Sequence, residues 1–158
     1  MLEPRVASAQ DVPELVRVIN LAYRVEDFFI DGDRTNDNDV RRRMTRPHAA
    51  FLVLDGTEPG ALAAAVYTEI RGERGYFGML SVDPAFQHRG LARTLIGAVE
   101  DRCRAAGCTV LDIEVVDLRE ELPPFYRRFG FTTAGEAPFT DPGKLKRPAH
   151  LVVMTKGL

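Results

Sequence analysis

The sequence predicts an α/β (α+β) domain: a mixed, mostly antiparallel sheet of six to seven strands flanked by helices. Three observations carry the prediction. A chain of 158 residues that is 45% hydrophobic and 28% charged has the size and composition of one globular unit, residues 1–158. Apolar spacing changes from helical to alternating near Ala50. In the middle of the chain a strand, a helix and a strand follow one another. That order calls for one right-handed crossover joining parallel strands inside an otherwise antiparallel sheet.

Taken in order, Asp11-Val-Pro-Glu14 has the form of a helix start, an acidic cap with a Glu three residues on. Val12, Leu15, Val16, Ile19, Ala22 and Tyr23 then recur at helical spacing, so the first helix is expected to run to about Arg24. The segment from Glu26 to Asp39 carries Glu26, Asp27, Asp31, Asp33, Asp37 and Asp39 against Arg34 alone, with Phe28, Phe29 and Ile30 interleaved. A short basic helix is expected around Val40 to Arg46. Ala50 to Leu54 and Gly60 to Ile70 are β-like and are joined by Asp-Gly-Thr-Glu-Pro-Gly as a hairpin. A second turn, Arg71-Gly-Glu-Arg-Gly75, leads into the apolar run Tyr76 to Val82, which Asp83-Pro84 stops.

Between Arg89 and Ala106 the residues Leu91, Leu95, Ala98, Val99, Arg102, Cys103 and Ala106 mark a helix, with Gly107 as its stop. Thr109 to Val116 alternates, with Leu111, Ile113 and Val115 on one face and Asp112 and Glu114 on the other. Leu122 to Phe129 reads as a short helix opened by Pro123-Pro124 and closed by Gly130. Phe131 to Ala134 and His150 to Thr155 complete the sheet, separated by a turn-rich stretch from Gly135 to Pro148.

Composition narrows the function classes. A net charge of −2 and a pI near 5.9 give no general attraction to a polyanion, so nucleic acid is not expected as a partner. No uncharged apolar run reaches the eighteen or so residues of a membrane helix, and Arg5 with Asp11 interrupts the place of a signal peptide. No membrane contact and a cytoplasmic address follow as expectations. Cys103 and Cys108 lack further Cys or His nearby, so no metal site is expected and both are read as buried thiols.

The sharpest local signal is Ser81-Val-Asp-Pro-Ala-Phe-Gln87-His-Arg-Gly90-Leu-Ala92, placed after a buried strand and opening a helix. A glycine and small residues at a helix start leave backbone N–H groups pointing outward, and the helix dipole adds positive potential there. The segment therefore suits an anion such as a pyrophosphate. A plain strand-to-helix turn with an ordinary cap is the competing reading. It matches neither the Rossmann G-x-G-x-x-G nor the P-loop pattern.

At this point the chain resembles the GCN5-related N-acetyltransferase (GNAT) superfamily. Gln87-His-Arg-Gly90-Leu-Ala92 fits its acyl-CoA pyrophosphate motif, Q/R-x-x-G-x-G/A, with Ala in the last place. Met79-Leu-Ser-Val-Asp-Pro84 looks like its fourth strand, and Pro124-Phe-Tyr-Arg-Arg-Phe-Gly-Phe131 resembles its second signature. The element order agrees over nearly the whole chain. The resemblance implies the acyl-CoA N-acyltransferase fold with splayed central strands, and acetyl-CoA as co-substrate. It also implies acetyl transfer to a primary amine of a small-molecule or peptide acceptor, by direct attack in a ternary complex.

Carried over position by position, the resemblance implies that Gln87 and the amides of His88, Arg89, Gly90, Leu91 and Ala92 hold the CoA pyrophosphate. Leu80, Ser81 and Val82 would face the pantetheine arm, with the N–H near Leu80 polarising the thioester carbonyl. Tyr126, four residues before Gly130, falls where the family commonly places the acid for the departing thiolate. A phenol near pKa 10 against a thiol near 8.5 acts there chiefly by hydrogen bonding. A core aromatic is the competing reading of Tyr126. Arg119, seven residues before it, stands where many members carry an Asn, and an Arg could reach a phosphate or a substrate carboxylate.

Several members use a Glu near the start of the fourth strand as base, and here that position is Tyr76. Glu26, Glu69, Glu114 or a water chain are the candidates in its place. The connection between the first two helices would help form the acceptor site, with Glu26 and Asp31 attracting a cationic amine and Phe28 and Phe29 flanking an apolar part. The alternative is a solvated acidic loop with both phenylalanines tucked into the core. The loop from Phe139 to Arg147 either lines the other side or is a basic surface turn. Neither cysteine lies in a cofactor motif, which disfavours a thiol relay. A silent acyl-CoA-binding regulatory module and a protein-modifying acetyltransferase are the rival functions, and a homodimer is left open.

Overall fold

The computed structural model describes residues 2–158. Its strands are β1 (Arg5–Val6), β2 (Ala49–Asp55), β3 (Leu62–Arg71), β4 (Arg74–Val82), β5 (Val110–Val116), β6 (Thr132–Pro138) and β7 (His150–Gly157). The helices are α1 (Val12–Ala22), α2 (Asp37–Met44), α3 (Leu91–Ala105) and α4 (Leu122–Arg127). The strands form one sheet in the order β1-β2-β3-β4-β5-β7-β6. Every neighbouring pair is antiparallel except β4 with β5, which α3 connects. The crossover inferred from the strand–helix–strand order is therefore present.

The parallel pair is short. β4 and β5 are matched only at Arg74 with Val110, Gly75 with Leu111 and Tyr76 with Asp112. Beyond Tyr76 the strands part, β4 continuing along β3 and β5 along β7. The sheet is thus pinned at one end and split at the other. On the β3 side, Tyr67 faces Gly78 while Ala65 faces Ser81, so Met79 and Leu80 together stand opposite Val66. That bulge is sharpened by Met79, whose φ of 55 is uncommon for a side chain with a Cβ.

The bulge also resets which face each side chain serves. Tyr76 and Met79 pack with Val12, Leu15 and Ile19 of α1. Phe77, Leu80 and Val82 instead pack on the opposite side, with Leu91, Leu95, Ile96, Val99 and Cys103 of α3. The α3 residues recur every three to four positions, which gives one apolar stripe against the sheet. Cys103 and Cys108 are buried free thiols, as expected. No helix among the described residues is long and apolar enough to cross a membrane.

Several boundaries differ from the sequence expectation, each for a local reason. The capping role falls to Ser8 and Asp11, which enclose a short 3₁₀ turn, Ala9–Asp11. Glu14 instead accepts the Leu62 N–H at 2.9 Å and pairs with Arg17 at 2.6 Å, stitching α1 to β3. The second helix starts earlier, at Asp37, because Asn36 caps it by accepting the Asp39 N–H at 2.8 Å. The strand β6 runs on to Pro138 through a shift after Thr133; as an edge strand it tolerates Gly135 and Pro138. The two-residue β1 carries too little pattern to read.

Candidate active site

Where β4 and β5 part, the protein opens into a cleft of about 710 Å³. Tyr76–Leu80 of β4 and Ile113–Val116 of β5 form its two lips. Tyr23 and Glu26 close it from the end of the first helix, Leu122 and Tyr126 from α4, and Arg34 to Arg46 from the second helix and the loop before it. A second hollow, about 350 Å³ and lined by His48, Ile70, Arg102, Ala105 and Ala106, lies at the far end of α3 and holds none of these groups.

Beyond the cleft β4 ends at Val82 and runs into the turn that opens α3. Asp83 anchors this turn: its carboxylate accepts the Ala85 N–H at 2.9 Å and Arg17 at 2.9 Å, and its own N–H donates to Ala63 at 2.8 Å. Past Gln87 the backbone twists twice into the left-handed region, at His88 (φ 65) and Gly90 (φ 74). The first helical bond then runs from the Thr94 N–H to the Gly90 carbonyl at 3.1 Å. Among the described residues, the amides from His88 to Arg93 have no backbone partner. Gly90 faces open space. An exposed run of unpartnered N–H groups at the positive end of a helix can hold an anion with no side chain involved. A diphosphate fits this donor set, and the exposed His88, Arg89 and Arg93 add positive charge around it.

Leu80 lines the cleft at the bulge, while Ser81 is buried with its hydroxyl donating to the Met79 carbonyl at 2.9 Å, and Val82 packs toward α3. Tyr126 lines the cleft from α4, its ring packed on Phe77, Phe125 and Phe131. Burial pushes its phenol well above the ordinary tyrosine value, with the nearby Tyr23 and Tyr76 hydroxyls adding to the rise. Burial likewise pushes Tyr23 up to about 12. These phenols stay protonated and can donate hydrogen bonds.

The candidate carboxylates divide sharply. Glu26 lines the cleft but is paired with Arg119 at 2.8 Å, and both side chains are largely buried. Burial lifts its carboxyl above the usual range in spite of the Arg119 charge. Glu69 is also buried in part, yet the Tyr67 hydroxyl at 2.6 Å, Arg71 at 3.0 Å and Arg46 at 3.4 Å hold its carboxyl below the ordinary value. Glu114 lines the cleft from β5 and makes no ion pair or side-chain hydrogen bond with the described residues. The tyrosine at the strand-four position, Tyr76, folds across Gly78, its hydroxyl 2.6 Å from where a Cβ would stand. Burial and the Glu114 charge together raise its phenol.

The acceptor-side expectation needs correction. Phe29 is fully buried with Ile30, Val116 and Leu151, and Phe28 lies on the surface under the Arg147 guanidinium; neither lines the cleft. Asp31 is exposed outside it, its N–H donating to the Lys144 carbonyl at 2.8 Å. Arg119 spends its guanidinium on Glu26 and on Glu121 at 3.3 Å rather than reaching into the cleft. The wall that does face this side is rich in arginine: Arg34, Arg42, Arg43, Arg46 and Arg71. Sequence reasoning missed Tyr23 and Arg34. The one hint was an arginine standing alone in an acidic stretch.

Among solved structures, the fold is similar to the ribosomal-protein-S18-alanine N-acetyltransferase from Escherichia coli: TM-score 0.77, 19% identity, 99% of this chain and 94% of that one covered. It is also similar to nourseothricin acetyltransferase, with TM-score 0.74, 19% identity and coverage of 99% and 98%. Ard1 from Thermoplasma volcanium gives TM-score 0.79 at 15% identity, with 99% and 97% covered. The model of the acetyltransferase (GNAT) family matches residues 14–131, which span the split sheet, the helix-opening turn and the α4 tyrosine, and the chain belongs to that family.

Proposed function

We propose that this protein transfers an acetyl group from acetyl-CoA to a primary amine by direct attack in a ternary complex. The observation that carries the proposal is the split between β4 and β5: the cleft there is lined by Leu80 and the buried Tyr126, and β4 leads on from it into the turn whose His88–Arg93 amides have no backbone partner. An elongated donor would lie along that split, its diphosphate on the amides of the turn and its arm against Leu80, Ser81 and Val82. Acetyl-CoA, when bound, supplies the activated acyl group.

The chain's own residues then have separate tasks. The Leu80 N–H, turned by the bulge at Met79, donates to the carbonyl oxygen as negative charge develops there. Tyr126 keeps its proton at neutral pH and donates a hydrogen bond to the departing sulfur. Glu114 lines the cleft from β5 without an ion pair among the described residues and takes the proton an attacking amine must lose, directly or through water. Glu26 and Glu69 are committed to arginines and serve the wall instead.

The test is free-thiol release from acetyl-CoA with a panel of amines, wild type against Tyr126→Phe. The expected result is a fall in kcat on the order of 100-fold with CoA affinity within about twofold of wild type. Equal turnover by Tyr126→Phe would remove the tyrosine from the chemistry. A wild type that binds CoA but acetylates nothing would favour a silent acyl-CoA-binding module.

A further inference from the structure

We infer that the acceptor is a small amine that also carries a compact oxyanion, of the amino acid or aminophosphonate kind, and that Arg34 binds the oxyanion. This deepens the acetyl-transfer reading above and rests on it.

Arg34 differs from the other arginines of the cleft. Arg42 and Arg43 pair with Asp39, and Arg46 and Arg71 with Glu69. Arg34 lines the same cleft, is half-buried, and makes no ion pair among the described residues. A partly desolvated guanidinium without a counter-ion is unfavourable, and an arriving anion relieves that cost. Its carbon lies 5.2 Å from the centre of the Tyr23 ring. Its N–H groups make no hydrogen bond with the described residues and can fork onto two oxygens of one group.

The position is also held in advance. Asn20 clamps the next residue twice, donating to the Thr35 carbonyl at 3.0 Å and accepting the Thr35 N–H at 2.9 Å. The buried Thr35 hydroxyl donates to Asp39 at 2.7 Å, tying the loop to α2. Arg24 and Asp33 pair at 2.9 Å on the other side. Opposite charge lines the same cleft at Glu114, and Tyr76 lines it too, Glu114 disfavouring ionisation of its hydroxyl and Arg34, Arg71 and Arg43 favouring it. A zwitterion matches that pair of charges: ammonium toward Glu114, oxyanion toward Arg34. The wall's remaining arginines each already have a carboxylate partner, Arg42 and Arg43 sharing Asp39 and Arg46 and Arg71 sharing Glu69.

The test is calorimetric titration of CoA-loaded protein with L-amino acids, with their carboxamides, and with the corresponding aminophosphonates. At least one acid or phosphonate is expected to bind about tenfold or more tightly than its carboxamide. The carboxylate and phosphonate arms show which oxyanion is preferred. Arg34→Gln is expected to erase the preference, and Arg34→Lys to keep only part of it, because an ammonium cannot fork. Carboxamides binding as well as the acids, no binding by any compound, or a preference that survives Arg34→Gln would each overturn the inference. Failure of the CoA loading step, seen in the first titration, would instead sink the acetyl-transfer reading. Acetylation of amides as fast as acids would leave that reading standing and remove this one.

Discussion

The two regions that β4 connects are built from different materials. The turn into α3 is made of backbone: a left-handed His88, a left-handed Gly90 and a run of amides with no partner. The cleft wall by α2 is made of side chains, arginines and tyrosines brought together from the first helix, the loop before α2, β3 and β4. A backbone site depends on conformation and tolerates side-chain change. A side-chain site depends on charge pairing, so one substitution leaves a partner exposed or stranded. The contrast predicts where each region is fragile.

The largest effect is expected from the charged region. Arg119→Ala would leave Glu26 buried without its counter-ion, a loss of about 3 kcal/mol. For a chain of this size that lowers Tm by roughly 6–12 °C in a thermal melt. The double variant Glu26→Leu with Arg119→Leu is expected to recover most of the loss, because it strands no charge. A single variant as stable as wild type would mean the pair is open to water and contributes little.

A smaller effect, on binding rather than stability, is expected at the backbone turn. Gly90→Val places a β-branched residue at φ 74, strain of roughly 1–2 kcal/mol that flattens the turn. Acetyl-CoA affinity should fall about tenfold by calorimetry. By contrast Gln87→Ala, one side chain away, should change it by less than about twofold. If Gln87→Ala cost as much as Gly90→Val, the site would owe more to side chains than the contrast holds.

The same distinction explains what could be read from the sequence. The turn at Gln87–Ala92 was legible as a helix opening with free amides because such an opening needs small residues and glycine at fixed spacing. The Tyr126 segment was legible for a similar reason, an aromatic and glycine pattern within one short helix. The alternating Thr109–Val116 stretch placed Glu114 on the polar face of a strand. What failed were readings that needed tertiary arrangement. Of the acidic loop read as a receptor for cations, Glu26 does line the cleft but is paired with Arg119, while Asp31 faces outward and Phe29 fills a core. Local composition carries no information about which charges neutralise one another. Only the folded chain shows that Arg34 makes no ion pair among the described residues while Arg42 and Arg43 share Asp39 and Arg46 and Arg71 share Glu69.

The central claim is that main-chain N–H groups along the split sheet receive acetyl-CoA. Amide resonances report on those groups one by one, and a 17.6 kDa chain is within reach of such spectra. On titration with CoA, the amides of His88 to Arg93 and of Leu80 should move together and saturate, while those of the arginine wall around α2 move little. Stationary His88–Arg93 amides, or shifts confined to the α2 wall, would contradict the account.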